Sequence, residues 1–363
     1  MVIFLIILIC IVTSGLKAAG NGEFFNDYIS KSQTVAINGV FTVLVIFRHA
    51  SGYLSFDGPL DNAFITFDRF MSQLIVVTFL FYSGFGMMES VKKKGKRYIL
   101  TIPTRRFLKV LYHFDLAVVL YLVTNIIIGN PYSPKEIFLA FVGWTSIGNS
   151  NWYIFVILIM YILVFVSFLC TGGNKYAAVT VMCVLSVLFI MLNEKVNRPF
   201  YCYNTAFLFP LGMLFSLLKA PYERLMRKND AVWFFMTGLT AISFAALSFV
   251  RVKEIVLYTL WAFLFMMIIL AVSMKIKVGN GILNWFGSHV FSVYILQRLP
   301  MMVLQKLGVD EHRYAFIIIS FIVTVVLAVL FDFAVEKLDR LIYSKKSKTR
   351  RKKQVKASSV AEE

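Results

Sequence analysis

The sequence predicts an all-α polytopic membrane protein, and three observations carry that expectation. Of its 363 residues, 59% are apolar and only 15% charged, whereas soluble domains hold about 45–50% apolar residues. The charged residues fall in short blocks between apolar runs, and a run of about 20 apolar residues crosses the hydrocarbon layer as a helix. Lys and Arg crowd the ends of those runs, as they do in proteins with a fixed orientation in the bilayer. The runs fill nearly the whole chain and leave no room for a separate soluble catalytic domain.

Hydropathy places eleven spans near residues 1–16, 34–54, 70–90, 107–128, 151–170, 177–192, 200–218, 231–250, 255–274, 285–305 and 314–335. Turn-forming runs such as Gly129-Asn130-Pro131 and Thr171-Gly172-Gly173-Asn174 separate them. Segment 136–148 is apolar but short, and reads as an interfacial or re-entrant piece. With the N-terminus outside, the cytoplasmic segments 17–33, 91–109, 171–176, 219–230, 275–284 and 336–363 hold 27 of the 37 Lys and Arg. The positive-inside rule therefore predicts an outer N-terminus and a cytoplasmic C-terminus in the cell membrane. Residues 1–16 resemble a signal peptide in length, with Ala18-Ala19-Gly20 as a cleavage context. Cleavage would send the basic run Lys345–Lys356 outside, and the segment lacks a basic start. It reads as an uncleaved first span.

The net charge of +18 raises the question of nucleic acid. The bases sit at helix ends rather than along a soluble face, so no nucleic-acid partner is expected and membrane lipid is. Cys10, Cys170, Cys183 and Cys202 lie in or beside apolar runs without a C-x-x-C pair. They read as packing residues, and no metal site is expected.

Ionisable residues within spans are expensive and therefore functional candidates. His49 lies near the outer end of the second span. Asn38 precedes it by eleven residues, which is about 20° off the same helical face and roughly 16 Å deeper. Viewed alone, His49 is more simply an interfacial histidine with local hydrogen bonds.

Its surroundings change that reading. Residues 30–54, SKSQTVAINGVFTVLVIFRHASGYL, resemble the opening of the acyltransferase-3 family of membrane-bound O-acyltransferases. Similar stretches follow in order: FLFYSGFGMMES at 79–90, PTRRFLKVLY at 103–112, NSNWYIFVILIMYI at 149–162, FLFPLGMLFS at 207–216 and SHVFSVYILQ at 288–297. The resemblance implies a ten-span acyltransferase-like core over 30–335. The span count then leaves one extra N-terminal span with its linker over 1–29, and the charge run a basic cytoplasmic tail over 336–363, expected to be disordered. The resemblance also implies transfer of an acyl group, usually acetyl, from cytoplasmic acyl-CoA to a hydroxyl of a cell-surface polysaccharide or its lipid-linked precursor.

The family's histidine carries over onto His49, and an imidazole suits general-base work near neutral pH. Two positions depart from the family pattern. Asn38 stands where many members have a base, and Gln297, followed by Arg298, stands where many have histidine. Arg48 and Arg298 are both candidates to restore the charge.

Of the basic cytoplasmic groups, Lys92–Arg97 reads chiefly as topology and anionic-lipid attraction. Arg105 and Arg106 are candidates for the phosphates of acyl-CoA, since Arg makes bidentate contacts with phosphate, and Asn38 is a candidate donor-side contact. Ser83-Gly84 reads as a close-packing pair. Trp152 and Tyr153 read as interfacial aromatics, with sugar stacking as a second reading. His113, His289 and His312 receive no role. The rival function is a transporter or flippase of a lipid-linked sugar, which would show internal repeats or paired broken spans. Neither is visible in the sequence.

Overall fold

The computed structural model describes residues 1–56, 58, 60–250 and 254–359, with side chains described to Ile342. The chain is built from helices α1 Val2–Thr13, α2 Lys31–Ser51, α3 Asp61–Met71, α4 Leu74–Lys94, α5 Lys96–Ile99, α6 Leu108–Ile128, α7 Pro134–Phe141 and α8 Trp152–Cys170. They continue as α9 Lys175–Lys195, α10 Leu208–Met226, α11 Asp230–Phe249, α12 Ile255–Ser273, α13 Gly281–Ser288, α14 Val290–Leu296, α15 Arg298–Lys306 and α16 Arg313–Ser359. Local chemistry sets several starts. Ser30 accepts from the Gln33 amide to cap α2, and Asn174, Asn229 and Asn280 cap α9, α11 and α13 the same way. A capping box between Ser133 and Glu136, with Pro134 in the first turn, starts α7.

Among the described residues, eight helices are long and apolar enough to cross a membrane, and the chain is a multi-pass membrane protein. Three of the eleven expected spans are not among the eight. α1 has only 12 residues, about 18 Å of helix against roughly 30 Å of hydrocarbon. α10 begins at Leu208, beyond the expected residue 200, and its later turns carry Lys219, Glu223 and Arg224. The stretch 285–305 is divided among α13, α14 and α15. Segment 136–148 forms the short α7 and a coil, not a span. Residues 336–359, expected as a tail, continue α16, and the basic run from Lys345 lies beyond the described side chains.

Two helix pairs approach at backbone distance. A Cβ at Gly39 of α2 would strike the Leu283 carbonyl of α13, and one at Gly287 would strike the Val35 carbonyl. Gly84 of α4 and Gly212 of α10 meet the Phe209 and Phe81 carbonyls in the same reciprocal way. The close-packing role read for Ser83-Gly84 is thus visible at Gly84.

Segments assigned to one side by charge gather at one end of the bundle. β1 Lys17–Ala18 pairs antiparallel with β2 Ile276–Lys277, and the Phe25 amide donates to the Met274 carbonyl at 2.8 Å. Lys275 binds Asp230 at 2.6 Å, and Arg227 reaches Asn26 and the Phe25 carbonyl. The opposite end is tied by Arg313 to Asp61 at 2.7 Å and by Arg48 to Asp68. His49 lies at that second end.

Candidate active site

α2 delivers Arg48 and His49 in its last turn, just before Gly52 closes the helix. The His49 ring faces a cavity of about 620 Å³ whose wall is shared by α2, the start of α4, the coil before α8, the loop after α9, and α14–α15. Ser150 Oγ lies 3.5 Å from His49 Nδ1, and the Tyr294 ring centroid is 6.2 Å from the imidazole. Arg298, Gln297 and Arg48 are its polar neighbours.

The coil that brings Ser150 here is built by its own amides. Asn149 Oδ1 accepts from the Ile147 amide at 3.1 Å, and Asn151 Nδ2 donates to the Gly143 carbonyl at 2.7 Å. Asn125 of α6 braces it from below, donating to the Ile147 carbonyl at 2.8 Å. Gly148 adopts φ +98°, and a Cβ there would collide with Met302. Only glycine fits that turn without strain.

The three cavity arginines differ in how they are neutralised. Arg48 is ion-paired with Asp68. Arg298 Nε donates to the Tyr53 hydroxyl at 3.2 Å. Arg198 Nη1 donates to the Trp144 carbonyl at 2.8 Å, and its guanidinium lies 4.0 Å from the Trp144 ring centre. Among the described residues neither Arg198 nor Arg298 has a carboxylate partner, and no Asp or Glu lines the cavity. Of the two candidates to restore the missing charge, Arg48 is already compensated and Arg298 is not. Cys202 also lines the cavity. Burial pushes its thiol up, partly opposed by Arg198, so it stands there as a neutral group rather than a thiolate.

The residues singled out on the donor side are not brought to this cavity. Pro103–Phe107 forms a π-helical turn ahead of α6, and it splits the arginine pair. Both arginines are exposed overall, but Arg106 Nε donates to the Tyr98 hydroxyl at 3.2 Å with Tyr161 beside it. Asn38 sits deeper on α2, its Oδ1 buried without a partner among the described residues. Thr78 Oγ1 and Tyr82 OH of α4, which packs on α2, are buried and unpartnered too. Trp152 faces the cavity. Tyr153 is instead in the core, its ring 5.3 Å from Tyr294 and 6.1 Å from Phe79. Sequence reasoning missed Ser150, Arg198, Trp144 and Tyr201. For Arg198 the only local signal was a base between Asn197 and Pro199 at an outer turn.

A family model described as an acyltransferase domain matches residues 36–333. The chain belongs to the acyltransferase-3 family. The match runs from the first half of α2 through most of the apolar part of α16 and includes every residue of the His49 cavity. No curated protein and no solved structure matches the chain. This is therefore a membrane acyltransferase, with His49 at a polar cavity walled by α2, α4, α14 and α15 and by the coils before α8 and after α9. Among the described residues, no three His, Cys, Asp or Glu gather as a metal site.

Proposed function

We propose that this acyltransferase moves an acetyl group from cytoplasmic acyl-CoA to a hydroxyl of a cell-surface polysaccharide or its lipid-linked precursor. The observation that carries the reading is the His49 imidazole, facing a polar, arginine-bearing cavity with Arg298 beside it. The orientation that supports it has the N-terminus outside and the C-terminus in the cytoplasm of the cell membrane, so that the His49 cavity opens outward.

In this reading the acceptor hydroxyl attacks the thioester carbonyl and His49 takes its proton. Ser150 at Nδ1 holds the ring's orientation. The carbonyl oxygen gains negative charge as the C–O bond forms, and Arg298 is the uncompensated cation placed to stabilise it. Collapse breaks the C–S bond, and the thiolate of CoA leaves with the proton that the imidazolium returns. The donor's phosphates would meet Arg106, whose guanidinium is turned inward towards Tyr98 and Tyr161. The buried, unpartnered oxygens of Asn38, Thr78 and Tyr82 suit the amide-bearing arm of CoA.

The direct test incubates membranes holding the protein with acetyl-labelled acetyl-CoA and follows label into surface glycan. Label on glycan that depends on the protein is the expected result. Transport of lipid-linked sugar with no transfer of label would overturn the proposal.

A further inference from the structure

The charge of the His49 cavity says something about the acceptor. Arg198 and Arg298 are both held there by neutral acceptors, a tryptophan carbonyl and a tyrosine hydroxyl. A cation drawn partly out of water without a counter-charge is costly; Arg298 lies within the run read as a span, and Arg198 is half-buried at an outer turn. Among the described residues no carboxylate lines the cavity to offset either one, and Asp68 beside it is taken by Arg48. The start of α8 adds to the same potential. Its N-cap, Asn151, makes no capping hydrogen bond to the first-turn amides, so their partial positive charge remains at the cavity wall. Around Arg198 stand Trp144, Trp152 and Tyr201, all facing the cavity. The Trp152 and Tyr201 rings are 6.4 Å apart. Flat rings beside a fixed guanidinium suit a sugar ring that carries an oxyanion.

We infer that the acceptor is an anionic sugar, bearing a carboxylate or a phosphate, and that Arg198 is the residue that binds its charge. The inference rests on the acyl-transfer reading of this cavity and names the acceptor class for it. In that arrangement Arg198 holds the acceptor's anionic group, the aromatic rings hold its ring, and one hydroxyl is left facing His49. Arg298 remains free for the reacting carbonyl.

The test measures binding and needs no turnover. Full-length protein in detergent is titrated with glucose, glucuronate and glucose 1-phosphate by saturation-transfer NMR at low salt. At least one of the two anions should bind about tenfold or more tightly than glucose, as one charge-assisted hydrogen-bonded contact gives. Whichever anion is preferred identifies the group as carboxylate or phosphate. The preference should weaken with salt, vanish in Arg198→Gln, survive in Arg198→Lys and persist in His49→Ala. Equal binding of all three sugars, no binding of either anion, or an intact preference in Arg198→Gln overturns the inference. Those outcomes leave catalysis by His49 untouched. Conversely, a His49→Ala protein that still transfers acyl groups defeats the catalytic assignment and leaves the anion preference standing.

Discussion

The two ends of the helix bundle handle positive charge in opposite ways. At the end that gathers β1, β2 and the start of α11, the fixed cations meet carboxylates, with Arg106 on the Tyr98 hydroxyl as an exception. Lys275 has Asp230, Lys277 has Asp27, Arg227 has Glu223, and on neighbouring elements Lys92 has Glu89 and Lys109 has Asp339. At the His49 end, Arg48 and Arg313 are paired in the same way, but Arg198 and Arg298 are left facing a cavity. The first arrangement holds loops together. The second stores positive potential where a reaction could use it. Density of basic residues is therefore a poor guide to the site. Lys92–Lys96 is the denser cluster, and four lysines within it are exposed at the surface.

The contrast predicts a large effect at Arg298. Arg298→Gln should lower kcat about 10²–10³-fold, the loss expected when a preorganised partner of a developing oxyanion is removed. Arg48→Gln should instead cost stability, because it strands the Asp68 carboxylate. Equal kinetic losses for the two would erase the distinction drawn between a paired and an unpaired arginine.

Next in size is the split between Arg105 and Arg106. Arg106→Ala should raise the KM for acyl-CoA roughly tenfold, as loss of one charge-assisted contact does, while Arg105→Ala moves it little. A shift of the same size for Arg105 would mean that the Tyr98 contact does not decide which arginine binds the donor.

Gly84→Val would test packing remote from either charge arrangement. Its side chain would be driven into the Phe209 carbonyl, and overpacking of this kind costs about 1–3 kcal/mol. Thermal unfolding in detergent should fall, with the anion preference retained in the protein that remains folded.

The smallest effect belongs to Asp27, whose side chain is 53% exposed. The hydrogen bond from Lys277, opposed by slight burial, holds its carboxyl below the unfolded value of 3.8. Its contribution is thus complete above that value and is lost as pH falls through the lower folded-state value. Asp27→Asn should cost under about 1 kcal/mol near neutral pH, as exposed pairs do. A larger loss would show that this end is more than a clasp.

Much of the fold was legible because membrane burial writes itself into long apolar runs. The boundaries of α8 and α12 sit within a residue or two of the hydropathy reading. Where the reading missed, a physical cause is visible. The run 285–305 is apolar on average, yet it is broken at His289 and again at Gln297. Hydropathy averages over such breaks. The span expected from residue 200 starts only at Leu208, because Phe200–Cys202 is a short turn against the cavity.

His49 was legible from its cost in a span and from the motif around it. Which arginine compensates whom was not. Arg48 finds Asp68 twenty residues away, and Arg198 meets Trp144 across 54 residues, and such pairings leave no periodic trace. Arg105 and Arg106 read as a pair because they are adjacent. The π-helical turn then points them differently.

The most direct test of the account is His49→Ala, assayed for acyl transfer from labelled acetyl-CoA at matched membrane abundance. Loss of a general base should lower the rate about 10²–10⁴-fold while insertion, folding and the anion preference stay intact. His312→Ala, at the end of the short helical turn Val309–Glu311, should be nearly silent in the same assay. Near wild-type transfer by His49→Ala would contradict the account, because the cavity would then hold a histidine that the reaction does not use.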